Sequence, residues 1–225
     1  MVEFLGTKPL LHAMMTESIR RGNADLLFDR PDGVMIYDRR AKAHMLAAGT
    51  EAAALQMVDK IENPALLVTH DPVSRKLVAG RFSFPETLAV VQAVYRKNEI
   101  EVPEADIRPL DLSHHAFVRA HYESVDDDGY VADRLREGAL YGVYLDGELA
   151  GFMGTHAEGS LGLLEILPEY RRRGLGEALE RYVTQIHLAR GWTPFAQIEK
   201  DNVPSQALHR KLGFEISDEC LYWFM

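Results

Sequence analysis

The segment RRRGLGEALERY, residues 171–182, sets three arginines and two glycines directly before an amphipathic helical pattern. A helix start is already positive, because its first N–H groups have no acceptor within the helix. Cations gathered there are accounted for if an anion binds with them. Gly174 and Gly176 lack Cβ atoms, so the backbone can turn tightly and come close to a ligand. The N–H groups of the following helix point at the same place and favour a diphosphate. Arg171, Arg172 and Arg173 add donors that can grip phosphate oxygens bidentately. The chemistry offered is polyanion binding. A solvated basic turn is the plain alternative, since short glycine motifs are weak signals.

The elements that must position this loop follow from periodicity and turn signals. SLGLLEIL ahead of it reads as a strand, and the helix after it runs to about Ala189, ended by Gly191. Upstream lie a strand at 106–109, helices at 112–122 and 130–136, and the strands LYGVYL and ELAGFMGTH around the turn Asp146-Gly147. Downstream come PFAQIEK as a strand, a helix at 203–212, and FEI and CLYWF as two closing strands.

The first half reads as a mixed α/β unit. It has a helix at 10–21, strands ADLLFDR, GVMIYD and AHMLAA, a helix at 50–61 capped by Thr50, and strand ALLVTH. A helix at 72–80 begun by Asp71-Pro72 and strand LAVVQAVY complete it. The charged segment 97–106, with Pro103, predicts a boundary, giving regions 1–103 and 104–225. The unit from ALLVTH to LAVVQAVY echoes the unit from PFAQIEK to CLYWF in plan. A degenerate copy and a generic strand–helix–strand unit both explain that echo.

Composition bounds the rest. The chain has 225 residues, 47% hydrophobic and 26% charged, which suits a globular protein with a real core. Its single cysteine, Cys220, rules out an internal disulfide and suits a reducing compartment. No apolar run nears a membrane span, and the N-terminus lacks a signal-peptide pattern, so a cytoplasmic location is expected. The formal net charge of −9 argues against general nucleic-acid binding.

With these elements in place, Arg171-x-x-Gly174-x-Gly176 after a strand resembles the acyl-CoA pyrophosphate motif of the GNAT N-acetyltransferase superfamily. DNVPSQALHRKLGF, 201–214, resembles that superfamily's Asn-led helix ending in Lys-Leu-Gly-Phe. The likeness covers about residues 106–225. IEKDNVPSQ and CLYWF look most like the glycine N-acyltransferase-like subgroup, which also carries a degenerate N-terminal half.

The resemblance implies an α/β (α+β) fold with a mixed, mostly antiparallel sheet flanked by helices, plus a smaller N-terminal α/β domain. It implies acetyl-CoA or another acyl-CoA as cosubstrate, a small amine as acceptor, and no metal. Ile166 and Leu167 would offer backbone groups to the pantetheine arm. Amides from Arg172 through Gly174, Leu175 and Gly176 to Glu177 would hold the pyrophosphate. Asn202 would bond the pantetheine or cap its helix, and Ser205 would contact the cofactor or face it. His209 stands where the family commonly has a Tyr that serves the leaving thiolate. Histidine can fill that role near neutral pH; otherwise a water or Tyr222 serves, and His209 only packs.

Candidates for the base are Glu165 and Glu199, carboxylates in otherwise apolar strands, where desolvation would favour proton uptake. An edge position facing water is the alternative for each. Glu158 and His156, at a turn, are weaker candidates. The run SVDDDG, 124–129, could attract an ammonium group or be a solvated loop. His114, His115 and His121 have no partnered zinc spacing, and Cys220 reads as packing.

The leading expectation is an N-acyltransferase moving an acetyl group from acyl-CoA to a primary amine by direct attack. An amino-acid N-acyltransferase using longer acyl groups, and a non-catalytic CoA-binding sensor, are the alternatives. The N-terminal half would pack, shape the acceptor site or form a homodimer.

Overall fold

The computed structural model describes residues 2–122 and 128–225. The acidic run at 124–129 therefore lies outside the described residues up to position 127. The chain forms two compact units that do not follow chain order: Met1–Tyr95 with Gln197–Met225, and Arg96–Ala196.

The first unit holds α1 (Ala13–Arg20), β1 (Ala24–Arg30), β2 (Gly33–Asp38), β3 (Ala43–Ala48), α2 (Glu51–Asp59), β4 (Leu67–Thr69), α3 (Pro72–Arg81) and β5 (Thr87–Val94). It also takes α7 (Val203–Leu212) and β11 (Glu215–Phe224) from the far end of the chain. The strand order is β1-β2-β3-β4-β11-β5. β11 is antiparallel to both neighbours, with Trp223 opposite Val68 on one side and Leu88 on the other. Its core gathers Met35, Leu46, Met57, Ile61, Leu67, Val78 and Phe224. The caps expected from sequence form: Thr50 accepts from the Ala53 N–H and Asp71 from the Ser74 N–H.

One strand differs from expectation. FEI and CLYWF belong to a single strand, β11, with an irregularity between Ile216 and Cys220. The Ser217 hydroxyl accepts the Gln92 N–H at 3.0 Å and donates to the Glu219 carbonyl at 2.7 Å. That side chain satisfies backbone groups where the ladder is broken, so the strand continues.

The second unit contains β6 (Asp106–Pro109), α4 (His115–His121), α5 (Asp128–Arg136), β7 (Leu140–Leu145), β8 (Glu148–Thr155), β9 (Leu161–Ile166) and α6 (Leu175–Ala189). β10 (Phe195–Glu199) begins in this unit and ends in the other. Strands β6 to β9 form an antiparallel meander, and β10 joins β9 in parallel through Ala196 and Leu161. The helix expected at 112–122 opens with a 3-10 turn, Leu112–His114, capped by Asp111, before α4 begins. Asp146 and Gly147 both take positive φ, 53° and 87°, as a tight hairpin turn requires. The core joins Leu110, Val118, Val131, Leu135, Leu140, Phe152 and Leu163. α6 buries Leu179 and Val183, each contributing about 2 kcal/mol through area removed from water.

β9 is not regular. Phe152 pairs with Glu165 and Gly154 with Gly162, so two steps along β8 answer three along β9. The extra residue is a bulge, and Leu163 within it takes φ 56°.

Among the described residues no helix is long and apolar enough to cross a membrane.

Candidate functional site

The segment after β9 is built as an open helix start. Leu167 leads a 3-10 turn, Pro168–Tyr170, and the chain then passes through Arg172 at φ 66° and Gly174 at φ 78° before α6 begins. A side chain at Arg172 in this left-handed region costs ~1 kcal/mol. Gly174 is the N-cap of α6, and no side chain caps this 15-residue helix. A Cβ on Gly174 would meet no atom within 4 Å, so its dihedral angle, not crowding, calls for glycine. Gly176 lies near Ile166, whose Cγ1 is 3.6 Å from the Cβ that Gly176 lacks.

The three arginines are exposed. Arg171 donates from Nε to the Ile166 carbonyl at 2.9 Å and from Nη2 to Glu165 at 3.0 Å. At this exposure the ion pair contributes no more than ~1 kcal/mol, so a phosphate can compete for the guanidinium. Arg173 donates weakly to the Glu169 carbonyl at 3.4 Å and lies over the Tyr170 ring. Glu177 is the acidic residue of the first turn of α6, and its carboxylate pairs with Arg181 at 3.0 Å. The Glu177 carboxylate is thus engaged along the helix.

Ile166 ends β9, and Leu167 follows it. Leu167 donates its N–H to the Ala150 carbonyl at 3.0 Å and accepts the Tyr170 N–H at 2.9 Å. The Ile166 carbonyl accepts from Arg171 Nε, and a carbonyl oxygen has two lone pairs, so sharing it with a pantetheine amide does not require that arginine to leave. Glu165, Ile166, Leu167, Arg171, Arg172, Arg173, Gly174, Leu175, Gly176 and Glu177 all lie in the second unit.

Glu199, Asn202, Ser205 and His209 lie together in the first unit. The Asn202 side chain accepts the Ser205 N–H at 3.1 Å and caps α7. His209 is 5% exposed, and its Nδ1 lies 2.9 Å from the Ser205 carbonyl. A carbonyl only accepts, so Nδ1 carries the proton, and in the neutral ring Nε2 is an acceptor. The ring packs edge-on against Phe214 at 5.0 Å.

Neither glutamate has the apolar surroundings expected from its strand. Glu199 is exposed at the end of β10, and Glu165 is partly exposed and paired with Arg171. Gln197, two residues before Glu199, donates to the Met14 sulfur and accepts from Trp223. His114 bonds Asp111 in its cap, and His121 bonds the Phe117 carbonyl.

Sequence reasoning named His156 and Glu158 only as weaker base candidates, and missed the β9 bulge and the contact of Tyr130 with His156. The signal was present: Gly162 is an isolated glycine inside an apolar strand, which marks a bulge or a close approach.

The FR47-like protein family matches residues 140–223. No curated protein matches the sequence at a significant level. Among solved structures, a Drosophila protein shares 18% identity over 95% of this chain and 88% of its own, with a TM-score of 0.68. A GCN5-related N-acetyltransferase-like protein from Streptococcus suis shares 16% over 94% and 92%, with a TM-score of 0.58. A GCN5-related N-acetyltransferase from Kribbella flavida shares 12% over 96% and 93%, with a TM-score of 0.59. Identities this low speak for the fold. The chain shares the fold of these GCN5-related N-acetyltransferase structures, and its residues 140–223 match the FR47-like protein family.

Proposed function

We propose that this protein is an acyl-CoA-dependent N-acyltransferase that moves an acetyl group to a primary amine by direct attack. The observation that carries the reading is the start of α6: a 15-residue helix with no side-chain cap, entered through a left-handed glycine and preceded by three exposed arginines. Such an end attracts a diphosphate through its N–H groups and its dipole. In the proposal, amides from Arg172 to Glu177 and the arginine side chains hold the pyrophosphate. Ile166 and Leu167 steer the pantetheine arm, and residues 104–225 carry the reaction. Residues 1–103 would shape acceptor choice or association.

In direct transfer the amine nitrogen attacks the thioester carbon, its proton goes to a base, and the thiolate leaves. The proposal gives the thiolate to His209. Because its neutral ring already spends Nδ1–H on Ser205, His209 can donate to a thiolate only as imidazolium. A His209→Ala variant that loses ~100-fold or more in rate with acyl-CoA affinity retained supports that role; an unchanged rate removes it.

The deciding experiment is thiol release from acetyl-CoA and longer acyl-CoAs across glycine, other amino acids, polyamines, aminoglycosides and amine-bearing peptides. Turnover with one class names the acceptor. Glycine with a longer acyl chain places the protein with the glycine N-acyltransferases. Absence of saturable acyl-CoA binding overturns the reading. Binding without thiol release across the panel makes the protein a CoA sensor.

A further inference from the structure

The turn between β8 and β9 carries polar side chains that the phosphate loop does not use. His156 follows β8, Glu158 and Ser160 lie in the turn, and Tyr130 reaches it from α5. The Tyr130 hydroxyl and His156 Nδ1 are 2.8 Å apart. The Ala157 N–H donates to the same hydroxyl oxygen at 3.2 Å. The hydroxyl oxygen can accept from both the Ala157 N–H and a protonated Nδ1, the tautomer that leaves Nε2 as the acceptor of the neutral ring. Glu158 is buried and accepts a hydrogen bond from the Ser160 hydroxyl. The His156 N–H donates to the Ser160 carbonyl at 2.8 Å, and the Gly159 N–H to the His156 carbonyl at 2.9 Å, so the turn itself is pinned.

The far edge of the imidazole meets β9. A Cβ on Gly162 would lie 2.5 Å from His156 Nε2, closer than packed atoms come. Glycine at 162 is what lets the ring lie there. The next residue, Leu163, is the bulge. From Ile166 back to Gly162 is four residues, ~13 Å of strand. If an extended pantetheine arm held at the α6 start runs back along β9, its thioester end comes toward this point.

Resting on the acyltransferase reading, we infer that His156 Nε2 accepts the proton of the attacking amine, with Tyr130 as the residue that positions the ring. The amine nitrogen forms a bond to the thioester carbon, and the carbonyl electrons move to oxygen. The nitrogen proton passes to Nε2. The oxygen electrons return, the C–S bond breaks, and the sulfur leaves with the electron pair. The imidazolium then releases its proton to solvent and the thiolate takes its proton as proposed above, so amide and free thiol form and the ring ends neutral. Among the described residues, Tyr130 and Arg134 from α5 and Glu158 from the turn face the imidazole. Burial lowers the His156 pKa from its ordinary 6.5; Glu158 opposes that shift and Arg134 adds to it. The ring is therefore neutral and able to accept at pH 7, and the Glu158 carboxylate steadies the imidazolium once formed.

The test is kcat/KM against pH, with acyl-CoA affinity measured separately, for the full chain and for His156→Gln, Tyr130→Phe and Gly162→Ala. Expected for His156→Gln is a loss of ~100-fold or more in kcat, acyl-CoA affinity within about threefold of the parent, and disappearance of the acidic limb. Tyr130→Phe should lose ~10-fold and move the acidic limb, which a packing role would not do. Gly162→Ala removes no titratable group, so a similar loss there reports displacement of the ring; if His156→Gln does not fold, these two variants carry the test. Parent-like rates and an unchanged acidic limb in His156→Gln, or in both other variants, overturn the inference and leave acyl transfer standing. A parent protein that binds no acyl-CoA, or binds it and acylates no amine, overturns the acyltransferase reading and the inference with it.

Discussion

Helices α3 and α6 each begin shortly after a strand, yet their first turns are finished in opposite ways. At α3 the Asp71 carboxylate accepts the Ser74 N–H at 2.7 Å with one oxygen and the Ala48 N–H at 2.9 Å with the other. Proline fills the first position, where no N–H is needed. That helix start is closed by its own chain, and Asp71 is buried. At α6 the cap is a glycine, no side chain caps the first turn, and arginines crowd the approach. The contrast separates a helix end that serves the fold from one that serves a ligand. A helix N-terminus alone signals neither; what matters is whether the chain has already spent its donors.

Acid should open the closed start and spare the open one. His70, just before Asp71, is 1% exposed, and His12 beside it is 2% exposed, with ring centres 5.8 Å apart. Burial lowers His70 to about 3 and His12 to about 4, from the ordinary 6.5. Both folded values lie below the unfolded one, so below pH 6.5 the unfolded chain binds more protons. Stability is full above pH 6.5 and falls as pH drops toward 4 and then 3. Each ring contributes up to ~1.4 kcal/mol per pH unit, together about 3 kcal/mol between pH 6.5 and 5. Urea melts across pH should show that slope, and His12→Gln should remove about half of it. A flat profile would mean that the rings charge without unfolding.

Giving α6 the carboxylate that α3 has is the next largest effect. Gly174→Asp puts a negative charge where a diphosphate would sit and strains a left-handed position. Acyl-CoA affinity should fall ~100-fold, about 3 kcal/mol, as read by titration calorimetry. Unchanged affinity would break the proposed difference between the two helix starts. The converse change, Asp71→Ala, should cost ~2 kcal/mol of stability, from a lost cap and a stranded Ala48 N–H. Acyl-CoA affinity should be unaffected; a parallel loss of affinity would show that α3 also serves the ligand.

The same contrast explains what could be read from the chain. Caps such as Thr50, Asp71 and Asn202, the turn at Asp146-Gly147, and the loop around Gly174 are local devices, so residue type and order announce them. β11 was harder, because its continuity depends on Ser217 meeting Gln92, 125 residues away along the chain. Glu199 looked enclosed in an apolar strand, but its exposure is set by where β10 ends. The role of His209 was framed by its side-chain chemistry, whereas the Ser205 carbonyl decides which nitrogen carries the proton. The polar group at Tyr130 and His156 spans 26 positions and joins a helix to a turn. Nothing in either local pattern names the other.

The place of β11 also bears on the order in which the protein is made. Residues 96–196 form a contiguous unit, complete once a ribosome has passed them. The other unit lacks the strand between β4 and β5 until 215–224 emerge. We expect the half synthesised first to be finished last, with two strand edges waiting for a distant partner and exposed to wrong pairings meanwhile. Nascent chains stalled before residue 215 should be protease-sensitive in 2–95 and resistant in 96–196; equal resistance would show that the early half closes without its last strand.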